Sequence, residues 1–310
     1  MTGKLHVVNR SLLRVRHFCS RVRPGYDCAL AQLTTEQLDK FERDGFLVLE
    51  EFVTRQMCVA LRERARELVA EFDPQGIVSI FSTNEQTRTS DDYFLESGDR
   101  VRFFFEEHAF QADGRLRQSK ERSINKIGHA LHDLDPLFNK FSRTPEIAAL
   151  VADLQFKRPL LIQSMYIFKQ PDIGGEVTCH QDSTFLYTEP PSVVGLWFAL
   201  EEATRENGCL WALPGHHKLG LKSRFKRAPG GGTCFEVFDN NPWPLDELVP
   251  LEVPEGALIL LDGQLPHMSR MNTSPRSRQA YILHVIEGES HYSLDNWLQL
   301  SPLLPPRGFD

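Results

Sequence analysis

His180-Gln181-Asp182 places an imidazole and a carboxylate two residues apart, and none of the other ten histidines is followed by Asp at that spacing. On an extended segment, residues i and i+2 point to the same side, so His180 and Asp182 can reach one metal while Gln181 faces away. A neutral imidazole with a carboxylate suits Fe(II), and a second, distant His would complete a two-His-one-carboxylate face. That face leaves three adjoining positions open, two for a chelating 2-oxoacid and one for dioxygen. Alone, His-x-Asp is a weak signal, and a surface turn is the plain alternative.

The downstream sequence strengthens it. His267 follows the apolar run Ala257-Leu258-Ile259-Leu260-Leu261 and the turn Asp262-Gly263, which puts it at a strand mouth facing back toward His180. Eleven residues later Arg278 starts a strand over 279–286 and shares its parity with Ala280 and Ile282. A buried Arg is costly unless it meets an anion, and its planar fork matches a carboxylate in two-pronged fashion. The distal carboxylate of 2-oxoglutarate would be that anion. Arg276 competes for the role, and solvent exposure is the plain reading of both. His129 and His132, with Asp133 and Asp135, form a rival cluster; both histidines fall off the apolar stripe, so a solvated helix face is expected there. His216-His217 after Pro214-Gly215 reads as a turn. Trp197, Met165 and Tyr166 are either core or pocket wall.

The elements that must position these residues change character along the chain. Thr34 offers an N-cap hydroxyl to a short helix ending at Gly45, Phe46–Leu49 is a strand, and Thr54 opens a helix through about Phe72. Residues 82–100 are turn-rich and read as a long loop, with a pocket as one possible neighbour. Ile124, Ile127, Leu131, Leu134 and Phe138 predict an amphipathic helix carrying Lys126 on its solvent side, and another helix follows Thr144-Pro145. From Pro159 onward short β segments take over, at 159–169, 193–200, 209–213, 234–238, 257–261 and 279–286. Helices followed by turn-separated strands predict a mainly β, α+β fold: a sandwich or barrel with N-terminal and flanking helices. Gly230-Gly231-Gly232 lacks the strand and helix flanks of a phosphate cradle.

Composition limits the partners. Net charge is −7, yet residues 1–26 hold six Lys/Arg and no acid; removing those six leaves 27–310 at −13. An acidic body argues against nucleic acid as its partner. Lys222, Arg224, Lys226 and Arg227 form one local basic loop. No apolar run approaches the roughly 20 residues of a membrane span. The six cysteines form no CxxC pair, which predicts reduced thiols. The segment 1–30 is acid-free with Leu12, Leu13, Val15 and Val22 among arginines, so it reads as a basic extension, either a mitochondrial presequence cut near Phe18-Cys19-Ser20 or a tail. The location expected is cytoplasmic or mitochondrial, and a monomer is expected.

The motifs together resemble the phytanoyl-CoA dioxygenase family. They are His180-x-Asp182, His267 and Arg278, with Ser123–His132 around Lys126, Gln163–Gln170, Glu206–Leu210 and Arg276–Tyr281. The resemblance covers roughly 31–310, which is then one dioxygenase domain. It implies a double-stranded β-helix, or jelly roll, with iron held by His180, Asp182 and His267. It implies that 2-oxoglutarate contacts Lys126, Met165, Trp197, Ser269 and Arg278. The reaction implied consumes 2-oxoglutarate and O2, oxidises a small organic or acyl substrate, and releases succinate and carbon dioxide. Two departures stand out: Pro214-Gly215-His216-His217 where Pro-Gly-Ser-His is expected, and Cys179 where Pro is expected, which would make the iron site more sensitive to oxidation. Retention of Asp182 disfavours a halogenase. A metal-binding isomerase or hydrolase and a non-catalytic 2-oxoglutarate-binding relative are the rival readings.

Overall fold

The Thr34 hydroxyl accepts from Gln37 N at 3.2 Å, and the Gln37 side chain accepts from Thr34 N at 2.8 Å. This reciprocal cap opens α1 (Thr35–Asp44). Gly45 closes it at φ 82°, a conformation glycine adopts without steric cost, and a Cβ there would run into the His217 ring and Leu265. The chain then enters β1 (Phe46–Leu49). Thr54 caps α2 (Arg55–Glu71), which buries Cys58, Leu61, Ala65 and Val69 at helical spacing. The computed structural model describes residues 33–77, 79–81 and 91–309, within the unit 31–310. The basic extension 1–30 and the first part of the expected loop, 82–90, lie outside the described residues.

The loop's remainder holds a short helix, α3 (Asp92–Leu95), ahead of β2 (Val101–Phe105) and β3 (Ile124–His129). Three helices follow, α4 (Leu131–Leu134), α5 (Pro136–Ser142) and α6 (Pro145–Asp153). After them the described chain is β with short turns: β4 (Pro159–Ile167), β5 (Val177–His180), β6 (Thr188–Glu189), β7 (Val194–Ala199) and β8 (Leu210–Ala212). It continues with β9 (Ser223–Arg227), β10 (Thr233–Val237), β11 (Val249–Leu251), β12 (Leu258–Asp262), β13 (His267–Ser269), β14 (Ala280–Glu287) and β15 (His291–Tyr292). No described helix is long and apolar enough to cross a membrane.

A seven-stranded antiparallel sheet runs β1-β12-β7-β14-β4-β3-β2, and a four-stranded sheet runs β11-β8-β13-β5. Their inner faces meet in one apolar layer, with Trp197, Ala199, Ile259 and Ile282 from the large sheet against Leu210, Ala212 and Leu251 from the small one. This is the expected jelly-roll sandwich. Strand alternation decides which residues see which layer. On β14, Tyr281, Leu283 and Val285 face outward, where α2, α5 and α6 cover them through Leu61, Phe138, Phe141 and Leu150. Ala280 and Ile282 face the interior between the sheets.

Residues 124–138 differ from the expectation. They form a strand and two short helices, not one amphipathic helix. Every residue of β3 is buried, so no polar alternation marks it as a strand, and the 3-4 spacing of its isoleucines with Leu131 imitates a helix. Lys126 is therefore interior. His129 and His132 are buried too, correcting the expected solvated face: their Nδ1 atoms lie 2.7 Å from Ser97 Oγ and 2.9 Å from Ser164 Oγ. Asp133 holds Arg143 and Arg307, each at 2.6 Å, while Asp135 caps α5. These are structural polar contacts that gather no second metal site.

Candidate metal centre and cavity

β13 pairs antiparallel with β5, placing His267 directly opposite His180 with ring centroids 4.4 Å apart. β5 ends at His180, but Gln181 keeps the backbone extended at φ −116° and ψ 133° before a short 3-10 turn begins at Asp182. The Gln181 side chain points away and is anchored, donating to the carbonyls of Gly220 and Gln264 and accepting from Lys222 N. Asp182 thus returns to the same side as His180. Its Oδ1 stands 3.6 Å from His180 Nε2 and 3.7 Å from His267 Nε2. Among the described residues these three form the cluster of His, Cys, Asp and Glu able to share a metal, with their ligand atoms within 4.8 Å of one another.

Backbone carbonyls set both tautomers. His180 Nδ1 lies 2.8 Å from Thr178 O, and His267 Nδ1 lies 3.0 Å from Leu265 O. Each Nδ1 donates, which leaves each Nε2 a lone pair facing Asp182. Burial pushes the His267 imidazole down to about 4, the Asp182 carboxylate opposing, so it is neutral at pH 7. Burial alone would raise the Asp182 carboxyl, but the facing rings of His267 and His284 outweigh it and hold it well below the usual carboxylate range. Two imidazole Nε2 atoms and one carboxylate are the donor set that mononuclear Fe(II) takes.

A cavity of about 460 Å³ opens on this centre. His180, Asp182, Lys126 and Met165 are among the residues that line it, as are Gln163 and His284. Its outer wall is aromatic: Phe185 lies 5.8 Å from the His180 ring, Phe225 lies 5.6 Å from Phe185, and Phe235 lies 5.0 Å from Phe225. The wall continues onto the hairpin of β9 and β10, whose turn contains the three adjacent glycines. The expected basic loop of Lys222, Arg224, Lys226 and Arg227 is β9 with the residue before it, and its charges are engaged. Lys222 pairs with Asp239 at 2.8 Å, Arg224 with Asp295 at 2.6 Å and Lys226 with Glu236 at 2.8 Å. Arg227 donates to the carbonyls of Trp297 and Leu95.

Two buried cations near the centre lack a carboxylate partner among the described residues. Lys126 Nζ sits 3.7 Å from the Phe81 ring centroid and 3.9 Å from Met165 Sδ; burial pushes its ammonium down to about 7. Arg278 is 2 % exposed, donates Nε to Gly208 O at 3.0 Å, and leaves Nη1 without a partner. Its guanidinium lies 5.2 Å from the Trp197 ring, and burial pushes it down to about 10. Trp197 is aligned through Ile282 with Met165 across β7, β14 and β4. Ser269, two residues beyond His267, accepts from the buried Lys169 at 2.9 Å. Trp197, Ser269 and Arg278 are buried in the interior layer and do not line the cavity themselves. Arg276 instead reaches the surface, 60 % exposed, and pairs with Glu202 at 3.1 Å. Burying the unpaired cationic donors of Lys126 and Arg278 is costly unless an anion arrives.

The remaining expectations divide. His216-His217 form a short 3-10 turn near Glu247 and the Glu42 carbonyl, away from the centre. Cys179 is free and half-buried beside Leu213, Leu248 and Met268, and burial pushes its thiol up to about 12. Sequence reasoning missed His284, although its signal was present: Arg278, Ala280, Ile282 and His284 share one parity. It missed Lys169 and Gln163 too, and nothing in their local sequence marks them.

Comparison with known proteins agrees with this geometry. The family description "Phytanoyl-CoA dioxygenase (PhyH)" matches residues 41–280. Phytanoyl-CoA dioxygenase 1 of Oryza sativa subsp. japonica is 51% identical over 279 residues, covering 89% of this chain and 96% of that one. Phytanoyl-CoA dioxygenase domain-containing protein 1 of Mus musculus is 49% identical over 286 residues, covering 89% and 98%. Among solved structures, the non-heme alpha ketoglutarate dependent carbocyclase SnoK superposes with a TM-score of 0.61 at 17% identity, covering 89% of this chain and 94% of that one. EctD from S. alaskensis with 2-oxoglutarate and 5-hydroxyectoine gives 0.58 at 20% identity, covering 90% and 87%. The two structures share the fold; the sequence relatives and the family match settle the kinship, and this chain belongs to the phytanoyl-CoA dioxygenase family.

Proposed function

We propose that this protein is an Fe(II)- and 2-oxoglutarate-dependent dioxygenase that hydroxylates a small organic or acyl substrate, with release of succinate and carbon dioxide. One observation carries the reading: a His-Asp-His donor set with both tautomers fixed stands beside buried cations that have no carboxylate of their own among the described residues. His180, Asp182 and His267 would hold the iron, which when bound supplies the redox chemistry that activates dioxygen.

The chain's own residues then do the positioning. Arg278 offers its unpartnered Nη1 to the distal carboxylate of 2-oxoglutarate, a charge-assisted contact in a desolvated layer. The Ser269 hydroxyl accepts from Lys169, which leaves its own proton free to donate to the same carboxylate. Lys126 adds a second positive group, and Met165 and Trp197 shape the space around the co-substrate. The aromatic wall of Phe185, Phe225 and Phe235 excludes water from the reacting face and offers an apolar seat to the substrate. A metal-dependent isomerase or hydrolase would gain nothing from Arg278 and Lys126 as buried cations. A small substrate also fits the charge pattern, because Lys222, Arg224 and Lys226 are already paired with Asp239, Asp295 and Glu236.

Asp182→Ala tests the metal reading. It removes one of three ligands, so iron binding should weaken and succinate release from 2-oxoglutarate should cease. Ordinary succinate release with iron retained would refute the assignment.

A further inference from the structure

We infer that His284 is a positioning residue that holds Asp182 to the metal through a single oxygen. The inference rests on reading His180, Asp182 and His267 as ligands, and it concerns how that ligand set is kept open.

The two oxygens of Asp182 face different groups. Oδ1 looks toward His180 Nε2 and His267 Nε2, at 3.6 and 3.7 Å. Oδ2 looks the other way, to His284 Nε2 at 3.2 Å. His284 is 2 % exposed and sits on β14 opposite Gly195 of β7. A Cβ on residue 195 would stand 3.1 Å from Oδ2 and 3.8 Å from His284 Cδ2. The glycine therefore makes the room in which carboxylate and imidazole meet.

The tautomer distinguishes His284 from the two ligands. His180 and His267 each give Nδ1–H to a backbone carbonyl, so each presents a lone pair at Nε2. Among the described residues neither ring nitrogen of His284 has an aligned hydrogen-bond partner, and Asp182 Oδ2, 3.2 Å from Nε2, is the acceptor within reach. The nearest anion, Oδ2, decides the tautomer by drawing the proton to Nε2. An Nε2 that carries a proton cannot ligate a metal, but it can donate to a carboxylate that does. His284 thus works as a clamp behind the centre and not as a fourth ligand. With Oδ2 held back, Asp182 cannot close a second bond to the metal, and the position that bond would occupy stays free for the co-substrate. Partners of this kind typically account for 10–100-fold in metal affinity.

Glutamine and asparagine separate the two ring nitrogens. The glutamine amide places an N–H near the position of Nε2, whereas the asparagine amide reaches only as far as Nδ1. Co(II), followed by its absorption in anaerobic titrations of the full chain, is the probe. H284Q should bind Co(II) nearly as the parent does. H284N should bind about 10–100-fold more weakly. G195A should weaken binding in the same direction, because its Cβ presses on Oδ2 from the far side. Melting of the metal-free variants separates loss of fold from loss of ligation. If H284N does not fold, H284Q and G195A decide: parental binding in G195A overturns the clamp, and weakened binding in G195A with H284Q intact supports it. Equal affinities in H284Q and H284N, whether both parental or both weakened, also overturn it. A parent that takes up no Co(II), or an Asp182→Ala variant that takes it up undiminished, would instead defeat the metal reading beneath the proposal. A parent that binds, with binding lost in Asp182→Ala but kept in H284N, would defeat the clamp alone.

Discussion

Arg276 and Arg278 stand two residues apart, and burial separates their roles. Arg276 shares an exposed ion pair with Glu202, a contact worth about 0–1 kcal/mol in water. Arg278 holds a desolvated guanidinium with Nη1 unpartnered. Arg278→Ala should therefore raise the KM for 2-oxoglutarate steeply, equivalent to about 2–5 kcal/mol of lost binding, while Arg276→Ala leaves it nearly unchanged. Steady-state kinetics on the two variants compares them directly; equal small effects would remove Arg278 from the site. Lys126 adds a pH signature. Burial lowers its ammonium to about 7, so it is charged below that pH and neutral above it. A dianion binds the charged form better, so the affinity for 2-oxoglutarate should fall as pH rises through that value. Lys126→Arg, which stays charged, should flatten the profile. At this scale the sequence was generous with the ligands, because His-x-Asp on an extended segment states its own geometry. It was silent about Lys126 without the family resemblance, because a lysine in an apparent helical stripe looks solvated. His284 was legible in principle by continuing the parity of Arg278 by six residues.

The elements hold the site by packing on the far side of the sheet that carries part of it. β14 presents Ala280, Ile282 and His284 toward the interior, with Arg278 two residues before it, only if Tyr281, Leu283 and Val285 are covered on the other face. Phe138 of α5 is fully buried there, with its ring 4.9 Å from Tyr281 and 5.9 Å from Tyr166. Phe138→Ala should cost about 3–5 kcal/mol of stability in denaturant unfolding. Below its new midpoint the variant should retain its metal affinity, since no ligand touches Phe138. The sequence located α1, β1, α2, α6 and the longer strands well, because caps, apolar stripes and apolar runs are local signals. It lost β3 because a fully buried strand shows no alternation, and it passed over β5 and β13 because they are short and, unlike the four-residue β1, carry no apolar run. Those two short strands carry His180 and His267. Their pairing is a long-range event that residue spacing alone cannot display.

Across the whole molecule, two sheets enclose a layer that is apolar except where the metal donors and the buried cations enter it. The helices lie outside that layer, and the aromatic wall faces the cavity mouth with its neighbouring basic groups already paired. Fold class was readable from the change at Pro159, where helices give way to turn-separated strands. The proposed function requires iron and 2-oxoglutarate to meet on His180, Asp182 and His267. Anaerobic addition of Fe(II) and then 2-oxoglutarate to the intact chain puts this to the test. A metal-to-ligand charge-transfer band should appear that requires both additions and is absent from the Asp182→Ala variant, followed by succinate release when air is admitted. No band with both present, or the same band in the Asp182→Ala variant, would contradict it.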